Sequence, residues 1–456
     1  MADFSEWSPA GRRNGIMHRS LPAPDRTPHL MDILFPVLLT LCFFPSVTFG
    51  VIEAEIFPWA FLFALLFTTR RVVVGATSTA LLLAFLGGSS IIVALGDHVD
   101  TDIARSLSAY LNFILAFLCF LSLPYSRIEQ TVRIAKYILI GMVLLGIAQF
   151  MGLTAPLDGV FSALVPRASG ELLLEMGGRG ATLLSSEPSR AGVELAYLYF
   201  LYRLTQGYQS RLAFLDLALL AYLALVIRAA GPLAFGMLVV MMTTARSPRQ
   251  MLLWAPALLL APFIDLTQYG GRALDLISMV SSRDSLADTI FLLANESGHR
   301  LVAIYVFILH GFHDIFGAGV GLWRTSSVDA LIASDVNYQS LRYFQIWGGG
   351  SAVAIRGPGV VSNMMLDIGI VGTLMFFYWV FSVTKPYRHR DAITRIVLIV
   401  LFVKIAFVGS VGEPLPWIVT AVLLRWNHHQ WRMAAGPPQP ASVAASEPAK
   451  PTVGAG

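Results

Sequence analysis

The sequence predicts an all-α polytopic membrane protein, and three observations carry that expectation. Only 13% of the residues are charged while 56% are hydrophobic, with a mean hydropathy of +0.67. Soluble domains run at about 25% charged, so a water-soluble enzyme is excluded. The apolar residues gather in runs near the ~20 residues that cross a bilayer. None of the runs has the alternating pattern of a barrel, and backbone in lipid must satisfy its own hydrogen bonds, so the runs are helices. About twelve such spans use up most of the chain.

Residues 1–30 are polar, contain Pro and carry Arg12, Arg13, Arg19 and Arg26. No small-residue cleavage site precedes the first apolar run, so this segment reads as a basic cytoplasmic tail ahead of an uncleaved span. Spans follow near 31–50, 54–69, 72–94, 103–123, 134–152, 189–204, 212–228, 230–244 and 250–265, and then near 360–382, 393–410 and 413–426. The organisation expected is a tail over 1–30, nine spans over 31–265, a helical segment over 266–359, three spans over 360–426, and a disordered cytoplasmic tail over 427–456. Cys42 and Cys119 both lie inside apolar runs, which leaves no disulfide framework. A net charge of +4 is ordinary for basic cytoplasmic loops and does not argue for nucleic acid.

An even number of spans puts both termini in the cytoplasm, and the Lys and Arg distribution agrees. The basic residues left outside are Arg105, Arg167, Arg179, Arg190, Arg228, Arg272, Arg283, Arg300, Arg324, Arg342 and Arg356, with no Lys among them. Arg is favoured where a planar fork grips phosphate or carboxylate at two points, although Lys is scarce throughout this chain. Two external segments, 153–188 and 266–359, are much longer than a connection requires, as functional loops are. The second contains helix-like stretches near 274–293 and 298–313 and then a Gly-rich turn.

The first external segment holds Arg167, Gly178-Arg179-Gly180 and Ser186-Glu187-Pro188-Ser189-Arg190. Glu187 suits a helix-start carboxylate, and equally a general base or a group that orients Arg179 or Arg190. The second holds Ser297-Gly298-His299-Arg300, and Arg300 to Gly311 repeats the spacing of Arg167 to Gly178. His299, His310 and His313 share one helix face, as polar residues of an interfacial helix or, for His299, as a base. The run Gly317-Ala318-Gly319-Val320-Gly321 lacks the strand and the Lys-Ser/Thr of a nucleotide loop, and turns the chain against the bundle instead. Within the spans stand Asp216, Asp367 and Lys404, the last two able to pair across neighbouring helices, while Arg228 can face a central cavity. No metal-ligand spacing is present, so no metal and no cofactor is expected.

In order and topology these motifs, with Asp367-Ile368-Gly369-Ile370-Val371-Gly372, resemble the O-antigen polymerase and ligase family of membrane glycosyltransferases over roughly residues 140–410. The resemblance implies a multi-pass protein of the bacterial inner membrane whose external segments are periplasmic. Its substrate would be an undecaprenyl-diphosphate-linked glycan, extended at the periplasmic face into O-antigen, capsule or exopolysaccharide without a metal. Its partners would be membrane lipid and a chain-length regulator protein. Arg167, Arg179, Arg190, Arg228 and Arg300 would bind diphosphate, and Glu187, His299 and Arg300 would be the catalytic candidates. Ligases of the family carry His-Asn where this chain has Ser362-Asn363, which favours polymerase over ligase. The Ser-Arg-Gly common in the family reads Arg228-Ala229-Ala230-Gly231 here. A transporter of the same lipid-linked glycan is the reading from a different class, though no paired repeat halves are visible.

Overall fold

The computed structural model describes residues 30–49, 56–68, 75–96, 101–165, 180–206, 213–247, 249–250, 299–387 and 392–435. The helices are α1 (Leu30–Phe43), α2 (Trp59–Phe67), α3 (Ala76–Leu95), α4 (Thr101–Ser122), α5 (Tyr125–Phe150), α6 (Asp158–Leu164), α7 (Pro188–Thr205) and α8 (Phe214–Tyr222). They continue as α9 (Ala230–Thr244), α10 (Arg300–His313), α11 (Trp323–Ala333), α12 (Arg342–Gly348), α13 (Val360–Thr384), α14 (Ala392–Phe407) and α15 (Leu415–Ala435). Every apolar run read from the sequence that falls among the described residues is a helix, and those residues contain no strand. The runs at 250–265 and 274–293 lie outside them. Among the described residues, four stretches are long and apolar enough to cross a membrane: Ala76–Leu95, Asp102–Ser122, Tyr125–Phe150 and Val360–Tyr387.

Two boundaries differ from the sequence reading. α5 starts at Tyr125, directly after Pro124, because its first turns are amphipathic rather than apolar. Arg127 there binds Asp32 at 2.6 Å and lies over the Phe35 ring, 4.7 Å from its centroid. α15 runs on to Ala435, into the stretch expected to be disordered. Tyr125 stacks on His429 at 3.5 Å, and Arg425 donates to the Leu123 carbonyl, so packing extends the helix past the apolar run.

α4 and α15 form the axis of the bundle, with α2 and α3 against α4 and with α5, α7 and α14 against α15. Trp417 is the hub, stacked on Phe113 of α4 at 4.9 Å and edge-on to Phe117, Phe376 and Phe402. α7 has no polar face, and it is buried on all sides, as such a helix must be. Its charged residues are therefore compensated internally. Arg203 pairs with Asp216 at 3.4 Å, and Asp216 also accepts from the Tyr199 hydroxyl at 2.6 Å and from the Ala213 N–H. Asp216 is thus structural.

α13 is broken at Gly369, which has φ 62°. A break frees carbonyl and N–H groups that must find other partners. The glycine-rich turn supplies them: Ala318 and Gly319 N–H donate to the Leu366 and Asp367 carbonyls at 2.9 Å, and Val371 N–H donates to the Ile315 carbonyl at 3.2 Å. A side chain at Gly317 would collide with the Ile368 and Gly369 backbone, and one at Gly311 with the Met365 carbonyl. The eleven-residue step from Arg300 to Gly311 spans roughly 16 Å of helix. Their spacing places Arg300 at one end of α10 and the crossing with α13 at the other.

Candidate functional site: a cationic cavity ringed by helix starts

The starts of α4, α7, α9, α10, α11 and α13 all border one cavity of 1780 Å³. Each helix start carries the positive end of its backbone dipole, worth about 0.3–1 kcal/mol toward a nearby anion. A drug-sized pocket holds roughly 300–1,000 Å³, so this one has room for a larger amphiphile. Six basic side chains line it, Arg105, Arg190, Arg300, Arg324, Arg356 and Lys404, against the three carboxylates Asp102, Glu187 and Glu413.

One wall is built from α4, α10, α11 and the segment before α13. Buried Asp102 pairs with Arg324 and sits 3.7 Å from Arg105, leaving both guanidiniums half-exposed toward the cavity. Arg356 donates to Ser106 Oγ at 2.8 Å and lies 4.8 Å over the Trp323 ring, fixed from two sides. His299 and Arg300 complete this wall, with the His299 ring 4.5 Å from Tyr343. Burial, and next the Arg300 charge, hold the His299 imidazole below its ordinary pKa, so at neutral pH it is an uncharged acceptor. Asn363 also lines the cavity. Its amide donates to the Gly357 and Gly359 carbonyls at 2.6 and 2.7 Å and so fixes the turn that carries Arg356.

The other wall is built from the start of α7 and the turn between α14 and α15. Glu187 precedes Pro188 and has extended backbone, but its side chain makes no cap hydrogen bond; it accepts from Ser189 Oγ at 3.0 Å and is exposed. Arg190 donates to Ser410 Oγ at 3.0 Å. Below these groups the lining turns apolar, with Phe235 and Leu238 of α9 facing Ile399, Val400, Val403 and Phe407 of α14. Lys404 stands within that stripe, its ammonium 4.3 Å from the Phe235 ring centre and 4.7 Å from that of Tyr197.

Of the residues singled out from sequence, the fold brings Glu187, Arg190, His299 and Arg300 to this one cavity. Arg167 and Arg179 lie outside the described residues. Gly180 is explained by a close approach, since a Cβ there would lie 1.9 Å from the Ile227 carbonyl. Arg228 corrects the expectation of a cavity-facing group: it caps a π turn at φ 53° and lies 5.0 Å over Phe150, away from the cavity lining. Asp367 and Lys404 do not pair either. Asp367 accepts from Tyr110 at 2.7 Å, while Lys404 faces α7 and α9. His310 and His313 do not line the cavity, and among the described residues no three His, Cys, Asp or Glu stand close enough to hold a metal. Arg105, Arg324 and Arg356 join the site only through the fold, although their position in external segments set them apart from the basic residues expected inside. Glu413 had one signal, a Glu-Pro pair before an apolar run like that of Glu187-Pro188.

Set against known proteins, the chain matches no family model, no curated protein and no solved structure.

Proposed function

We propose that this chain is a membrane glycosyltransferase that lengthens polyprenyl-diphosphate-linked oligosaccharide at the outer face of the bacterial inner membrane, as a surface-polysaccharide polymerase of the O-antigen family. In this reading about twelve helices span the bilayer, both termini are cytoplasmic, and the described part of 266–359 covers the periplasmic mouth of the cavity. The observation that carries it is the convergence of Arg190, Arg300, Arg324 and Arg356, from four separate segments, on one cavity that also has an apolar stripe.

That combination suits a lipid diphosphate. The polyprenyl chain lies along Phe235, Leu238, Ile399, Val403 and Phe407, and the diphosphate meets the guanidiniums and helix starts. Polyprenyl diphosphate is already a good leaving group. The protein has to stabilise the charge that develops on it and align the acceptor hydroxyl, and pre-oriented arginines such as Arg356 do the first of these. The proton of the acceptor hydroxyl goes to a cavity carboxylate or to uncharged His299.

The test is polymer length in cells carrying single variants. Arg356→Ala and Arg300→Ala, expressed at wild-type level, are expected to reduce long chains to single repeat units, and Arg356→Lys to restore them only in part, because Lys lacks the two-point fork. Normal long chains from both Ala variants would end the proposal. Purified protein that moves labelled lipid-linked oligosaccharide across vesicles without lengthening it would replace it with a transporter.

A further inference from the structure

Among the described residues, Asp102 and Glu413 are the buried cavity carboxylates with an oxygen that makes no hydrogen bond, and only that of Asp102 is ion-paired instead, with Arg324. Glu413 is 7% exposed, it lines the cavity, and its Oε1 has no hydrogen-bond partner. The Tyr197 hydroxyl of α7 is also buried and makes no hydrogen bond. Unmet polar groups in a low-dielectric site are costly, and ionisable groups in apolar surroundings mark a function more often than a packing accident. Asp102, in contrast, is held by Arg105 and Arg324, and Glu187 is exposed and already accepts from Ser189.

The turn that carries Glu413 is rigid. Gly409 and Gly412 have φ of 100° and 88°, a conformation that L side chains rarely adopt. Asn112 Nδ2 donates to the Gly412 carbonyl at 2.7 Å, Gly359 N–H donates to the Gly409 carbonyl at 2.8 Å, and Arg190 donates to Ser410. Contacts from α4, α7 and the start of α13 thus fix the turn that carries the carboxylate, and Lys404 lines the same cavity.

We infer that Glu413, with Lys404 lining the same cavity, forms the acceptor subsite, where the Glu413 carboxylate takes the proton of the sugar hydroxyl that attacks the donor. This assignment rests on the polymerase reading above and names the base that it leaves open. In the step, the acceptor O–H proton passes to a Glu413 carboxylate oxygen while the acceptor oxygen bonds to the anomeric carbon of the donor sugar. The bond from that carbon to the diphosphate oxygen breaks, and its electron pair leaves on polyprenyl diphosphate, opposite the arginine wall. Glu413 later returns the proton to water. The ligand class at this end is a neutral, hydroxyl-rich saccharide, and the anionic lipid occupies the other end.

The experiment uses full-length protein in lipid nanodiscs, lipid-linked oligosaccharide for turnover, and farnesyl diphosphate as a probe of the diphosphate end. Glu413→Gln should lower the transfer rate about 1,000-fold, within the range for loss of a general base, while farnesyl diphosphate binding changes less than twofold. Glu413→Asp should recover a measurable part of the rate. The acidic limb of the wild-type pH–rate profile should be absent from the residual activity of Glu413→Gln. Transfer by Glu413→Gln at the wild-type rate overturns the assignment alone, as does loss of farnesyl diphosphate binding in both Glu413 variants, which marks a structural role. Wild-type protein that binds farnesyl diphosphate but never lengthens the oligosaccharide overturns both the assignment and the polymerase reading.

Discussion

Two helix starts border the same cavity with the same dipeptide. Glu187-Pro188 opens α7 and Glu413-Pro414 precedes α15. Pro188 is the first residue of α7, where its missing N–H needs no partner, and Pro414 stands one residue before α15. The surroundings then diverge. Glu187 is exposed at the start of α7, and Ser189 Oγ donates to it. Glu413 sits in a glycine turn clamped by α4, α7 and the start of α13, with an oxygen left free. Local sequence fixes where a helix begins, and the packing around that point decides whether its carboxylate is a surface group or a poised one.

The comparison can be broken most forcefully by loosening the clamp without touching the carboxylate. Asn112→Ala removes the amide that holds Gly412, and also the acceptor of the Phe61 N–H. A shift of about 1 Å in a reacting group costs on the order of 100-fold in rate, so transfer is expected to fall by that order while farnesyl diphosphate still binds. Unchanged turnover would show that Glu413 needs no clamp. Gly412→Ala should act on stability instead. Its backbone is at φ 88° and a Cβ would press on Ala109 at 2.9 Å, so chemical denaturation should register a loss of about 1–2 kcal/mol or more. At the other helix start, Ser189→Ala takes away the hydrogen bond to Glu187, and polymer length should not change. A shortened ladder there would move the acceptor subsite toward α7.

The smallest expected effect concerns His299 on the arginine wall. Its folded-state pKa lies below the ordinary value, so the unfolded chain takes up this proton first as pH falls. The stability linked to His299 is complete above the unfolded pKa near 6.5 and is lost as pH drops through and below it. Thermal unfolding of His299→Asn between pH 8 and 5 should therefore fall less steeply than that of wild type. Parallel slopes would place His299 in a more polar setting than burial and Arg300 provide.

Particular residues show how far the sequence reaches. Ser186-Glu187-Pro188 marked a helix start, and α7 begins there, because capping chemistry acts over a few neighbouring residues. The glycines at 317, 319 and 321 signalled a tight turn against the bundle, but not that the turn would repair a break in α13, since no local signal reveals where freed carbonyls find donors. Lys404 stood out as a costly charge within an apolar run. Its pairing with Asp367 was a matter of helix rotation, which a span list leaves open, and the fold turns Asp367 to Tyr110 and Lys404 to aromatic faces.

The sequence alone settled the helical, membrane-type composition and the positions of the apolar helices, because hydrophobic burial and backbone self-satisfaction in lipid act on each segment separately. It also marked a set of arginines apart from Lys. Only the tertiary structure decided which of them share a cavity, which carboxylate is buried there with an oxygen unmet, and which apolar faces line it. Those outcomes depend on how helices distant in sequence rotate and pack, and each is fixed by a few contacts such as Asn112 to Gly412 or Arg356 to Ser106.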